Sequence, residues 1–241
     1  MSQKKFIAVI PARYAATRFP GKLMQKLGNK PVIRHVYDNT AATGLFNDTI
    51  VVTDSNIIYD EISDSGGRAI MSKRSHESGS DRIAEAIEDM PVDVIVNVQG
   101  DEPFITKEPL EKLVLLFNDP GVQVASLMRK ITMEEAANPN NVKVVVDKND
   151  DALYFSRSTI PFQRDNEIAA EYFLHVGVYA YRKETLMNFT KWPQSVLEKT
   201  EKLEQLRYLE NGVKIKMAQT EYINIAIDIP GDLEKAKRYL T

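Results

Sequence analysis

Short apolar runs that end abruptly in polar loops, each separated from the next by a helical pattern, restrict this chain more than any other feature. The runs cover residues 6–10, 49–53 and 93–98, with a shorter strand pattern at 68–71. A strand buried on both faces reads as an unbroken apolar run and not as an alternation. Between the first two runs, residues 31–43 carry Val32, Ile33 and Val36 on one stripe, with Pro31 in the first turn and Gly44 as the stop. Ser55 or Asn56 can cap the next helix, which Gly66 and Gly67 close, and Ser80-Asp81 can cap a helix over 82–90. A helix over 106–117 and a strand over 122–128 continue the alternation. The pattern predicts an α/β fold on a doubly wound, mostly parallel sheet.

The second half changes character. Residues 142–146 and 152–156 flank a turn at 147–151 and read as a hairpin. Residues 172–182 form a long aromatic-rich strand, 197–210 a helix stopped by Gly212, and 214–220 and 224–228 further strand patterns before a last helix near Gly231. With no repeat, low-complexity tract or linker, residues 1–241 read as one domain with 140–185 as a hairpin insertion. A chain of 241 residues buries roughly 70–75% of its unfolded surface and needs no staples. The net charge of −3 argues against a nucleic-acid scaffold. The absence of cysteine excludes disulfides, thiolate catalysis and zinc–thiolate sites. No apolar run approaches the roughly 18–20 residues of a membrane span, and Lys4 and Lys5 lead straight into a strand, unlike a signal peptide. The expected location is cytoplasmic.

Open α/β sheets bind ligands beyond the carboxyl ends of their strands. The loop after the first strand holds Arg13, Arg18 and Lys22, shaped by Pro11, Pro20 and Gly21. Three cations at that edge point to a polyanion such as a nucleoside triphosphate. Surface Arg and Lys are common, so the Pro and Gly punctuation is what singles the loop out. It is not a P-loop, since Leu23 follows Gly21-Lys22 where Ser or Thr is required, and there is no G-x-G-x-x-G. Asp101 comes three residues after a strand, and Asp228 follows the run 224–227. Carboxylates so placed suit Mg²⁺ between a triphosphate and an acceptor; a turn before Pro103 and a helix N-cap are the plain alternatives. Residues 72–82 offer hydroxyls and amides to a base or ribose, or form a polar surface loop. His76 and His175 lack paired ligand spacing and read as hydrogen-bonded structural residues. Arg157 and Arg164 flank Ile160-Pro161 and either grip a carboxylate or lie in water. Trp192 and the tyrosines of 172–181 read as core or subunit contact.

Several of these segments together carry a resemblance. They are Ile10-Pro-Ala-Arg-Tyr-Ala-Ala-Thr-Arg-Phe-Pro-Gly-Lys22, His76-Glu-Ser-Gly-Ser-Asp-Arg82, Val96-Asn-Val-Gln-Gly-Asp-Glu-Pro103, Ala152-Leu-Tyr-Phe-Ser-Arg157 with Ile160-Pro161, His175-Val-Gly-Val-Tyr179, Leu203-Glu-Gln-Leu-Arg207, and Asp228 before Pro230. Nearly end to end, the chain resembles the 3-deoxy-manno-octulosonate (Kdo) cytidylyltransferase family, the CMP-Kdo synthetases. The resemblance implies a nucleotide-diphospho-sugar transferase-like fold and the reaction CTP + Kdo → CMP-Kdo + pyrophosphate, for lipopolysaccharide synthesis. It implies that Arg13 and Lys22 bind the triphosphate and act with Asp101 and Asp228 in catalysis. Asp101 and Asp228 would hold Mg²⁺, and Lys73, Ser78, Gly79 and Gln99 would lie at the CTP. Arg157, His175, Tyr179, Glu204 and Gln205 look like the sugar-acid pocket. The family also implies a homodimer joined partly through the hairpin, with no nucleic-acid partner and no membrane insertion. The chain departs from the family in having Ser72-Lys73 for Thr-Arg, Ser75 for Asp, and Ser80-Asp81 for Thr-Glu. Lys for Arg removes a fork of donors at Lys73.

On this reading the anomeric hydroxyl attacks the α-phosphorus in line and pyrophosphate leaves. The protein supplies alignment and charge neutralisation. Kdo, 8-amino-Kdo and other 2-keto sugar acids share the pattern, since such choices rest on a few hydrogen bonds. Two readings of other classes remain. A nicotinamide-dependent dehydrogenase could use Asp54 as its ribose acid, but lacks the glycine fingerprint. A non-catalytic nucleotide sensor could keep the basic loop, but has no need of both Asp101 and Asp228.

Overall fold

Burial on both faces explains why the first strand forms where its apolar run lies. β1 (Phe6–Ala12) buries Ala8, Val9 and Ile10 completely. The computed structural model describes residues 4–15, 19–76, 78–165 and 167–240. They divide into two compact units: residues up to Leu110 together with those from Asn224 onward, and Glu111–Ile223. Arg18 lies outside the described residues.

In the first unit β1 is followed by a 3-10 turn, Lys22–Met24, and a small antiparallel pair, β2 (Lys26–Leu27) and β3 (Lys30–Pro31). Then come α1 (Val32–Ala42), β4 (Asp48–Thr53), α2 (Asn56–Asp64), β5 (Arg68–Met71), α3 (Gly79–Ile87) and β6 (Val94–Asn97). α4 (Lys107–Leu116) contains the boundary to the second unit. The pairings β6–β1, β1–β4 and β4–β5 are all parallel. The chain winds outward from β1 through β4 to β5, then returns through α3 to β6 on the other side of β1. The strand order therefore reverses between β1 and β6, and a crevice at the carboxyl ends of those two strands is where such a sheet takes its ligand. α3 begins earlier than the 82–90 expected. Ser78 is its cap, with Oγ accepting from Asp81 N at 3.1 Å, while Ser80 is buried.

The second unit contains β7 (Val124–Ile131), α5 (Met133–Ala137), β8 (Lys143–Val146), β9 (Ala152–Ser156), β10 (Tyr172–Arg182), α6 (Lys183–Phe189), α7 (Val196–Glu201), α8 (Leu206–Glu210) and β11 (Ile215–Gln219). β7 pairs antiparallel with β10 and parallel with β11, and β8 pairs antiparallel with both β9 and β10. The expected hairpin is β8–β9, closed by Asp147 N to Asp151 O at 2.9 Å with Asp150 at φ 58°. The helix expected over 197–210 is two helices, because the chain leaves α7 at Lys202 with φ 56°. The cause is an ion pair. Arg207 grips Glu198 through Nε at 2.7 Å and Nη2 at 2.5 Å, both side chains buried. Residues nine apart on one continuous helix stand roughly 13 Å apart along the axis, so the chain must fold back for them to meet.

The last run, 224–228, forms no strand. Among the described residues it meets the loop after β6 through the backbone bond Ile227 N to Asp101 O at 2.9 Å and the side-chain bond Asn224 Nδ2 to Glu102 Oε1 at 3.5 Å, not through a ladder. α9 (Pro230–Lys237) follows, within the first unit. Among the described residues no helix is long and apolar enough to cross a membrane.

Candidate active site

Two glycines let the chain assemble the crevice between β1 and β6. Gly21 has φ 67°, which lets the basic loop turn back so that Gly21 N reaches Tyr14 O at 3.0 Å. Gly100 packs its α-carbon against the end of β1. A Cβ there would lie 3.0 Å from Pro11 O. Lys22 and Asp101 are thereby brought to the same edge. Lys22 Nζ donates to Asp101 Oδ2 at 2.5 Å and to Asp228 Oδ1 at 2.9 Å. Asp228 faces Lys22 and is not the N-cap of α9, which is Ile229. Asp232, in the first turn of that helix, reaches back to accept from the backbone N–H of Asp228 and of Ile229, each at 3.1 Å.

A cavity of about 290 Å³ opens here, lined by Pro11, Arg13, Lys22, Gln99, Asp101 and Asp228 among others. Burial works to lower the Lys22 pKa, but Asp101 and Asp228 together outweigh it and raise it, so Lys22 stays an ammonium. Glu102, the next residue, is buried. Burial first, and the charge of Asp101 second, push its carboxyl up to about 8, while Asn224 Nδ2 at 3.5 Å pulls the other way. At neutral pH it adds little charge beside the acid pair.

The loop expected to read the base is braced by α3. Arg82 is buried and donates to Ser72 Oγ at 2.9 Å and Asp54 Oδ2 at 2.6 Å. Asp54 is thus tied to a guanidinium, which removes the ribose-acid role that a dehydrogenase would need. Glu85 accepts from Lys73 N at 2.9 Å and pairs with His76 Nε2 at 3.0 Å. Burial works to raise the Glu85 pKa, but those two contacts and Arg74 hold it below the usual range. Lys73 itself is exposed. Ser78 and Gly79 form the start of α3, and Gln99 Nε2 donates to Asn97 Oδ1 at 3.4 Å.

Arg157, His175, Tyr179, Glu204 and Gln205 all belong to the second unit. The rings of His175 and Tyr179 lie 5.2 Å apart, and Phe155 meets His175 edge-on at 5.0 Å. Burial, then the neighbouring Tyr181 and Glu204, raise the Tyr179 pKa well above its ordinary value, which places Glu204 in the same cluster. Burial alone lowers His175 to about 3. Gln205 is buried at the start of α8. Arg157 is held by the backbone around it. Its Nε and Nη1 donate to the carbonyls of Glu201 and Pro139, at 2.8 and 3.2 Å. The sequence reading missed Arg82, Glu102 and, on β7, Ser126. Arg82 and Glu102 had a signal, since each stands in a quoted motif with no role for its side chain, whereas Ser126 had none.

An open parallel sheet with a cationic loop and two carboxylates at its reversal point is the layout of a nucleotidyl-transfer enzyme of the α/β class. The model of the cytidylyltransferase family matches residues 7–215. A 3-deoxy-manno-octulosonate cytidylyltransferase of Flavobacterium johnsoniae is 57% identical over 98% of both chains, and one of Christiangramia forsetii is 51% identical over all of this chain and 98% of its own. A solved CMP:2-keto-3-deoxy-manno-octonic acid synthetase in complex with CTP superposes with a TM-score of 0.94 at 40% identity over 98% of each chain. The fold is shared more widely: a 4-diphosphocytidyl-2C-methyl-D-erythritol synthase of Anaerococcus prevotii has a TM-score of 0.69 at 18% identity, over 98% of each chain. The chain belongs to the cytidylyltransferases, and within them to the 3-deoxy-manno-octulosonate cytidylyltransferase family.

Proposed function

We propose that this enzyme transfers CMP from CTP to the anomeric hydroxyl of Kdo and releases pyrophosphate, activating the sugar acid for lipopolysaccharide synthesis. The observation that carries the reading is Lys22 held between Asp101 and Asp228 at the sheet's reversal point, in a chain of this family. Arg13 and Lys22 offset the charge that builds on the phosphates as the α-phosphorus is attacked. Lys22 is charged throughout the working pH range because its pKa is raised. Gln99 and the Ser78–Gly79 start of α3 hold the cytidine, with Lys73 at the rim. His175, Tyr179, Glu204 and Gln205 hold the sugar acid.

Asp101 and Asp228 suit a hard divalent cation. They offer only oxygen, and both reach one nitrogen, so their oxygens are no farther apart than those two bonds laid end to end. Mg²⁺ bound there would neutralise phosphate charge and lower the pKa of the attacking hydroxyl. We also infer a homodimer in the cytoplasm. Leu153, Phe162 and Ile168 are exposed apolar side chains in and beside the hairpin region, and a second copy would cover them.

A pyrophosphate-release assay with CTP tests the reaction, run with and without Mg²⁺ across Kdo, 8-amino-Kdo and other 2-keto sugar acids. Release is expected only when a sugar acid and Mg²⁺ are both present, with the highest kcat/KM for Kdo. Release that is indifferent to the sugar acid would overturn the proposal and favour a hydrolase. A best rate with 8-amino-Kdo would keep the chemistry and change the substrate.

A further inference from the structure

β10 does not run straight along β7. The register pairs His175 with Met128 and Val176 with Leu127, then resumes with Tyr179 opposite Ser126. Gly177 and Val178 are therefore extra residues on β10, a bulge of the kind that re-aims side chains beside active sites. Four residues along a regular strand span roughly 13 Å, yet the rings of His175 and Tyr179 are 5.2 Å apart. The bulge, with no side chain on Gly177 between them, is what draws the two rings together.

Ser126 fills the concave side of that bulge. It is fully buried. Its Oγ lies 2.9 Å from Val178 O, 3.3 Å from Val176 O and 2.9 Å from His175 Nε2. A hydroxyl carries one proton and two acceptor lone pairs. Both carbonyls can only accept, so the proton goes to them, and to Val178 O above all. Oγ is then left to His175 as an acceptor, and Nε2 must be the nitrogen that carries hydrogen. The ring is neutral at working pH, since burial holds its pKa at about 3, so its other nitrogen keeps a lone pair.

We infer that Ser126 is a positioning residue: it locks His175 in the Nε2–H tautomer, so that Nδ1 is offered to the acceptor substrate as a hydrogen-bond acceptor that selects a sugar hydroxyl. The inference rests on the reading of His175 as part of the sugar-acid pocket. It explains why a buried serine stands opposite the bulge, where an alanine would pack but leave the ring free to flip its protons.

The chain has three histidines, so long-range ¹H–¹⁵N spectra of the imidazoles resolve them, and the His175→Gln variant assigns His175 by loss of its signals. The wild type is expected to show His175 protonated at Nε2 and not at Nδ1. Ser126→Ala should shift the ring toward the other tautomer or a mixture, and Ser126→Thr, which keeps the hydroxyl, should restore it. In steady-state kinetics Ser126→Ala should raise KM for the sugar acid about tenfold, the scale of one hydrogen bond, with KM for CTP unchanged and recovery in Ser126→Thr. An Nδ1–H tautomer in the wild type overturns the inference without recourse to any variant. So does a tautomer unmoved by Ser126→Ala. A moved tautomer with an unaltered sugar-acid KM overturns the selection of a hydroxyl and removes His175 from the pocket, while leaving CTP-dependent pyrophosphate release, and so the proposed reaction, standing.

Discussion

Lys22 bonds two carboxylates that are distant in sequence, and few single side chains have more to lose by substitution. Lys22→Ala is expected to lower kcat/KM for CTP by about 10²–10³, the scale of removing one charged stabiliser of a phosphoryl transition state. Steady-state pyrophosphate release measures it, and a near wild-type value would make Lys22 a plain surface cation. His175 makes a different prediction, about stability. Unfolded, it titrates near the ordinary histidine value of about 6.5, whereas in the fold burial holds it at about 3. Between those values the unfolded chain binds a proton that the folded chain does not, so stability falls as pH drops from 6.5 toward 3. His175→Gln removes that contribution. Urea midpoints at pH 7 and pH 4.5 should therefore lie closer together in the variant than in the wild type, and an equal drop in both would assign the acid sensitivity to other groups.

At the scale of elements, the contact between the ends of β1 and β6 decides whether the crevice forms. A Cβ on Gly100 would sit 3.0 Å from Pro11 O and 3.4 Å from Ile33 and Leu23. Gly100→Ala should cost about 1–3 kcal/mol of stability, as overpacking does, and lower kcat by displacing Asp101. Urea unfolding and turnover together test this, and a variant unchanged in both would show that the strands part at no cost. The parallel strands were legible because burial on both faces writes itself as an apolar run. The edge where Lys22 and Asp101 meet was legible from topology, since it follows from strand ends alone. Other features were not, for physical reasons. Residues 224–228 have a strand's composition but no partner with which to build a ladder. The break at Lys202 is imposed by Glu198 and Arg207 meeting across the turn, and no local propensity announces that. Ser78 and Ser80 are equally good caps by type, and only the course of the chain selects Ser78. Glu102 reads as an ordinary exposed acid until the fold closes over it, and Ser126 looks like any serine until the bulge opposite appears.

For the whole molecule, the exposed Phe162 and Ile168 predict association. Sedimentation equilibrium at micromolar concentration should give two copies for the wild type, and Phe162→Ser should shift the population toward one. A wild type that sediments as a single copy would exclude the dimer. The division of the chain has a consequence in time as well as in space. Glu111–Ile223 is one continuous stretch, whereas the unit that holds Lys22 is completed only by residues from Asn224 onward. Domains mature in the order in which the ribosome releases them, so the middle of this polypeptide can fold while Asp228 is still unmade. A nascent chain stalled at that stage holds the basic loop but lacks one of the two acids that Lys22 bonds. The pairing of Lys22 with its second carboxylate therefore waits on residues made after the whole middle unit, so that this contact is among the later ones a growing polypeptide can form.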